Sequence, residues 1–393
     1  MTLARHVVIA CLCWLILASP AAAGGKTISV GMTAAFSGPA KALGLGMKAG
    51  INAAFAEWNA RASEGAARLS LIARDDSYDP EAAGDNTRRL IEENHVLALI
   101  GNVGTPTARV AAPIAAAAKV LFFGAMTGAS LIRPQPPSRY LIHLRASYQE
   151  ETAAMVEGLL SAGVKVDEIA FLTQDDAYGE DGFQGAMAAL KAKGYADADR
   201  LPRGRYARNS LDVEPALIQL LQSRRSPRAV IMVAAYRPAA KFITLGRQLF
   251  PDALFLNLSF VGSDALARAL GPAGRDVIIT QVAPTPDSDL PAVRAYRRAL
   301  ARHEPQASFD LLSLEGYLTA RVLIEGIKRA GPNPDREAVI DGLLSLGAFD
   351  IGLGMPLRLS AADHQASHRV WPTRLVNGQV TAMNWSDLAK TGE

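Results

Sequence analysis

The sequence predicts an α/β fold of two doubly wound lobes, and three observations carry that prediction. Runs such as Val96–Ile100, Val120–Phe123 and Ala229–Val233 are wholly apolar, as expected of strands covered on both faces. Helical stretches separate these runs, which implies parallel pairing through crossovers. Over 393 residues the strands are too many for one compact sheet.

The elements follow in order. Residues 27–32 alternate as a strand, which Phe36-Ser37-Gly38-Pro39 breaks. Gly46–Arg61 reads as a helix with Ile51, Phe55 and Trp58 at helical spacing. Arg68–Arg74 is a strand, Glu81–Glu93 a helix, Val96–Ile100 a strand, and a helix and the strand Val120–Phe123 follow. Helices are then expected at Glu150–Ala162, Gly182–Lys193, Leu211–Gln222 and Pro238–Leu249. The intervening strands are Glu168–Thr173, Ala229–Val233, Leu254–Leu258 and Val277–Gln281. In such sheets ligands bind beyond the carboxyl ends of the strands, so the strand-to-helix loops are the places to search.

Bulk properties narrow the class. Hydrophobic residues make up 49% and charged residues 20%, a folding composition. The 41 Lys and Arg against 38 Asp and Glu are scattered, which argues against a dedicated nucleic-acid surface. Residues 1–23 read as a secretory signal: Arg5, then the apolar run Val7–Ala18, then Ala21-Ala22-Ala23. That run is short for a membrane anchor. Val8-Ile9-Ala10-Cys11 mimics a lipidation box but precedes most of the apolar stretch. Cys11 and Cys13 both fall in the segment to be removed, so the expected mature form is soluble and without thiols.

Several loops carry chemistry. In Gly101–Thr107, Thr105 suits an N-cap, Pro106 the first helical position, and Thr107 the first turn. Such an end attracts a carboxylate, although every helix also needs a start. The next loop, Gly124–Ala129, offers small residues and the Thr127 hydroxyl. Gly44–Ala49 has GxGxxA spacing but does not follow a strand directly, a weak dinucleotide signal. The acids of residues 174–182 fit helix capping better than a calcium loop, and Tyr178 there and Tyr236 after Val233 are aromatics placed to cover a ligand. His364 and His368 lack a third ligand and read as a surface strand entry. No catalytic, metal or cofactor constellation emerges.

Taken as an ordered set, the stretches at residues 36–39, 75–76, 100–107, 127–129, 174–179, 257–262 and 313–317 resemble the type I periplasmic solute-binding proteins of the branched-chain amino acid and amide family. The resemblance spans about Thr27 to Trp385. It implies two lobes, residues 24–145 plus 283–358 and residues 146–282 plus 359–393, joined by three crossing strands near Arg145, Val282 and Leu357–Leu359. It implies a ligand cleft formed by Leu43, Gly104, Thr105, Thr107, Ala125, Met126, Thr127, Tyr178, Tyr236 and Ser259. Ser259 stands where the relatives place an amine-binding glutamate, and Leu43 where they place an aromatic. Arg145 and Arg237 near these elements point to an anionic ligand. The implied function is capture of a small polar ligand (amino acid-like, carboxylate or amide) in the periplasm and delivery to an ABC permease in the inner membrane. A periplasmic sensor built on the same lobes is the alternative.

Overall fold

The computed structural model describes residues 26–63, 67–271 and 274–388, so the signal segment expected at residues 1–23 lies outside the described residues. The first part of the chain runs β1 (Thr27–Ala34), α1 (Lys41–Arg61), β2 (Arg68–Asp75), α2 (Pro80–Glu92), β3 (Ala98–Ile100), α3 (Thr105–Ala117), β4 (Leu121–Phe123) and β5 (Leu141–Ile142). The middle runs α4 (Tyr148–Ser161), β6 (Ile169–Gln174), α5 (Ala177–Ala192), β7 (Arg203–Tyr206), α6 (Glu214–Leu221), β8 (Ala229–Val233), α7 (Tyr236–Leu249), β9 (Leu254–Asn257), α8 (Ser263–Leu270) and β10 (Val277–Gln281). The last part is α9 (Pro291–His303), α10 (Leu311–Ala330), α11 (Arg336–Leu344), β11 (Gly347–Phe349), β12 (Leu357–Leu359), β13 (Trp371–Val376) and β14 (Gln379–Ala382).

Two large sheets organise these elements, beside an antiparallel β11–β12 pair. The first has strand order β2-β1-β3-β4-β5, parallel throughout. The second has order β14-β13-β10-β9-β8-β6-β7, parallel except where β13 and β14 join its edge. The chain passes from the first sheet to the second after β5. It returns after β10 to lay α9 and α10 against α1, and crosses again after β12. Every residue of β8 and of β10 is buried, which is why those runs carry no polar alternation. No described helix is long and apolar enough to cross a membrane.

Close packing of α1 explains the GxGxxA spacing. A Cβ on Gly44 would lie 2.1 Å from the Ala35 carbonyl oxygen, one on Gly46 2.5 Å from Leu312 Cβ on α10, and one on the adjacent Gly50 1.9 Å from the Ser313 carbonyl oxygen on α10. These glycines let backbones touch inside a packed lobe; they do not open a loop toward a dinucleotide.

Five helix starts, those of α1, α2, α4, α5 and α7, fall earlier than the sequence pattern places them. α1 begins at Lys41 with no side-chain cap to mark it. α5 begins at Ala177, because Asp176 caps it by accepting the Tyr178 N–H. α7 begins at Tyr236. Tyr178 and Tyr236 are therefore first-turn residues, with ring directions set by a helix rather than by a loop tip.

Candidate functional site

The site starts from the way α3 begins. Its N-cap is Gly104, at φ 104°, and not Thr105. Gly104 offers no side chain, so the buried first turn has no side-chain cap. Thr105 is thereby released from capping, and its Oγ1 lies 2.7 Å from Thr127 Oγ1. Thr107 donates its hydroxyl back to the Val103 and Gly104 carbonyls, at 2.5 and 3.0 Å, and braces the turn. The Met126 N–H donates to the Asn102 carbonyl at 2.8 Å and the Gly104 N–H to Met126 O at 3.2 Å, which locks the two loops side by side. The result is a buried pair of hydroxyls above an uncapped helix terminus, with positive dipole and free N–H groups.

A wall of aromatic rings closes this end. Tyr148 opens α4, and its N–H donates to the Gly128 carbonyl at 2.9 Å. Its hydroxyl reaches toward Thr127 and Thr105 without completing a hydrogen bond, and burial pushes its pKa up to about 12. Tyr178 lies 5.4 Å from Tyr148 and 4.6 Å from Phe260 between ring centroids. Its hydroxyl is also buried without a partner, and burial raises its pKa. Tyr78 completes the wall 6.0 Å from Phe260 and accepts a 3.2 Å hydrogen bond from Gln174 Nε2 in the other lobe.

Tyr78 is placed by a strained loop. Ser77 and Tyr78 both hold positive φ, 50° and 63°. Asp75 accepts N–H groups of Phe36, Ser37 and Ser77, and Asp76 accepts those of Tyr78 and the Thr33 hydroxyl. These bonds over-determine the turn and hold the strain. Burial raises the Asp76 pKa to about 7.

Below the rings lies a buried charge cluster. Arg145 pairs with Glu151 and with Glu315, each at 3.4 Å, and donates to Ser259 Oγ. Burial opposes its charge, but the Glu315 and Glu151 carboxylates outweigh that and hold its pKa up. Glu151 accepts the Ser259 N–H at 2.8 Å, its hydroxyl at 2.8 Å and the Thr280 hydroxyl at 2.6 Å. Glu151 thus places a carboxylate beside Ser259, fully engaged by these donors. Burial nevertheless raises the pKa of both glutamates.

The structure draws together most of the sequence-predicted residues. Gly104, Thr105, Thr107, Ala125, Met126 and Thr127 form the paired loops, all buried. Leu43 lies under Gly262 of the opposite lobe, its Cδ2 2.8 Å from where a Gly262 Cβ would stand. Tyr178 and Ser259 face the ring wall and the charge cluster. Tyr236 is buried at the head of α7, with no ring contact or hydrogen bond to the cluster described. Arg237 points outward, so it does not supply the charge the sequence assigned to it. His364 is buried rather than part of a surface strand entry, whereas His368 is exposed just ahead of β13. They sit in the third crossing, where His364 faces the Ser138 and Leu141 carbonyls and His368 bridges Glu150 and Asp363 at 2.6 and 3.1 Å. Tyr78, Tyr148, Glu151, Phe260 and Glu315 were not singled out from the sequence. For Tyr148 and Glu151 a signal existed: the Ser147-x-x-Glu150 capping box fixes the α4 start beside the Thr127 loop.

Two α/β lobes meeting over buried, unpaired donors define a cleft-type binding protein. The chain belongs to the periplasmic binding proteins, whose family model it matches over residues 27–379. A possible leucine/isoleucine/valine-binding protein from Rhodopirellula baltica SH 1 is 44% identical, with TM-score 0.90 over 94% of this chain and 99% of that one. A substrate-binding periplasmic protein from Ralstonia solanacearum is 30% identical, with TM-score 0.82 over 91% of this chain and 100% of that one. A branched-chain amino acid ABC transporter structure from Thermus thermophilus with bound valine, 16% identical, shares the fold at TM-score 0.80 over 92% and 96% of the two chains. No curated protein matches the chain.

Proposed function

We propose that this chain captures a small organic carboxylate between its lobes and delivers it to an ABC permease in the inner membrane. The observation that carries the reading is the pair of buried donors without partners, the Tyr148 and Tyr178 hydroxyls, the first of them beside the Thr105–Thr127 pair at the uncapped α3 terminus. Buried donors left unpaired are costly, and a carboxylate is the acceptor that satisfies several at once. The ligand docks first on the α3 terminus of the lobe comprising residues 24–145 and 283–358. The lobe of residues 146–282 and 359–393 then closes and brings Tyr178 and Phe260 over it. The likeness to the possible leucine/isoleucine/valine-binding protein supports an amino acid-like size, and family membership supports a periplasmic location.

Glu151 is already engaged by Ser259, Thr280 and Arg145, so a ligand ammonium finds no idle acceptor there. A simple carboxylate is therefore expected to bind more tightly than its α-amino analogue. A thermal-shift panel of amino acids, aliphatic and aromatic carboxylates, amides and ureas tests this, because a ligand of the folded state raises the melting temperature. A rise with carboxylates is expected. A rise confined to zwitterions would overturn the ligand class, and silence across every acid would overturn the site.

A further inference from the structure

A cavity of about 450 Å³ lies on the side of α4 turned away from the ligand cleft. Gln149, Glu150 and Ala153 line it, whereas Tyr148 and Glu151 lie on the opposite face of the same helix, toward the ring wall and the charge cluster. Its other walls come from residues 133–138 ahead of β5, from His143 on the first crossing, and from Asp363 to His368 on the third.

Two buried imidazoles stand in these walls. His143 Nε2 lies 2.9 Å from the Ile132 carbonyl oxygen. A carbonyl only accepts, so Nε2 carries the proton. Burial, and then the Arg133 charge, lower the His143 pKa and keep the ring neutral. Nδ1 is therefore a lone-pair acceptor, and it is buried with no hydrogen-bond partner. His364 holds the opposite tautomer: its Nδ1 faces the Ser138 and Leu141 carbonyls at 3.0 and 3.1 Å, so in the neutral ring Nε2 is the acceptor.

The donors beside them are already spent. Arg133 gives Nε to Gln365 and its two Nη groups to the Thr127, Ala129 and Arg145 carbonyls. Gln365 Nε2 donates to Glu150 at 2.8 Å and to the Ser367 carbonyl at 3.2 Å. Charge is balanced as well: Arg133 and His368, whose pKa rises to about 9 through its bond to Glu150, offset Glu150 and Asp363. Ile132, Pro134, Pro137 and Leu141 supply an apolar lining.

We propose that this cavity is a second binding site, for a small uncharged molecule that carries an O–H or N–H donor on an apolar body. The donor pairs with His143 Nδ1, which is costly to bury unpaired, and the body packs against the prolines, Ile132 and Leu141. A charged ligand has no unbalanced partner there, and an acceptor finds the Arg133 and Gln365 donors occupied. The site is on the far face of α4 from the cleft, so its occupancy is read without knowing the cleft ligand.

Phenol is the probe, and anisole, its methyl ether without the donor, is the control. Both are titrated into the mature chain labelled with ¹⁵N-histidine, and ligand ¹H line widths and the His143 Nδ1 shift are read. A153L fills the cavity from α4; H143Q keeps an N–H for the Ile132 carbonyl and removes the ring acceptor. Native-like melting curves establish that each variant is folded, and either folded variant suffices. Saturable phenol binding that moves the Nδ1 signal toward its hydrogen-bonded position is expected. Anisole with the native chain, and phenol with either variant, should bind at least about tenfold more weakly. Equal binding of anisole, undiminished binding of phenol by a folded variant, or no binding of phenol would overturn the site. An Nδ1 signal already at its hydrogen-bonded position without phenol, and unmoved by it, would assign the acceptor to a resident water and overturn it too.

Discussion

Gly104 shows how one residue sets the chemistry of the cleft. A Cβ there would stand 2.2 Å from the Tyr78 ring and 3.0 Å from Thr107 Oγ1, at a φ of 104° that side chains rarely adopt. Gly104→Ala is expected to cost about 2–4 kcal/mol, combining the positive φ with overpacking, measurable by urea denaturation. An unchanged midpoint would show that Tyr78 swings away freely. Because glycine supplies the cap position, the Thr105 hydroxyl is spare, and that was legible only in part. Gly-Thr-Pro-Thr announces a helix start beside a strand, hence a ligand-facing loop. It does not reveal whether Gly104 or Thr105 is the cap, since both residue types serve. Tyr78 was illegible, because two successive left-handed residues depend on remote contacts from Thr33, Phe36 and Ser37.

Among elements, the third crossing is the most informative. It is laced to the first crossing by backbone hydrogen bonds, Ala366 N–H to His143 O at 2.8 Å and Ser367 N–H to Leu144 O at 2.9 Å. His368 then ties it to α4. Its bond to Glu150 raises its pKa from 6.5 to about 9 against the opposing effect of burial, with Asp363 adding to the rise. A raised pKa means the folded state holds the proton more tightly than the unfolded chain. The stabilisation is therefore complete below pH 6.5 and fades as pH climbs to about 9. The imidazole side is 56% exposed, so solvent screening reduces the contribution to about 1 kcal/mol. His368→Gln is expected to lose that amount at pH 6 and nothing at pH 10 in denaturation curves. A constant deficit across that range would assign His368 a packing role instead. The strands β8 and β10 were readable to the residue, β8 as a wholly apolar run and β10 as Val277-Ile278-Ile279 leading into Thr280-Gln281. The short edge strands β5 and β7, and the antiparallel pair β13–β14, were not, because pairing at an edge is decided by neighbours rather than by local pattern.

At the scale of the whole molecule, the lobes are drawn together by contacts that local sequence cannot encode. Gln174 donates to Tyr78 at 3.2 Å, the Ser130 N–H donates to Asp181 at 2.9 Å, and Asn209 donates to the Ser77 carbonyl at 3.4 Å. These bonds join the two lobes across the cleft in the described conformation. Removing two of these ties in Gln174→Ala plus Asp181→Ala leaves the α3 terminus intact and weakens closure. Ligand affinity should fall about three- to thirtyfold, the equivalent of one or two modest hydrogen bonds, while X-ray scattering shows a more open ligand-free chain. Unchanged scattering and affinity would remove these contacts from the closing mechanism.

The central claim is that a carboxylate is held where the α3 terminus, Thr105, Thr127, Tyr148 and Tyr178 meet. Calorimetric titration of the tightest carboxylate from the thermal-shift panel, into the native chain, Thr105→Val plus Thr127→Val, and Tyr148→Phe plus Tyr178→Phe, tests it most directly. Hydrogen bonds to a charged group contribute about 1.5–3 kcal/mol each, so each double variant should bind at least tenfold more weakly with its fold retained. Native affinity in both double variants would contradict the account.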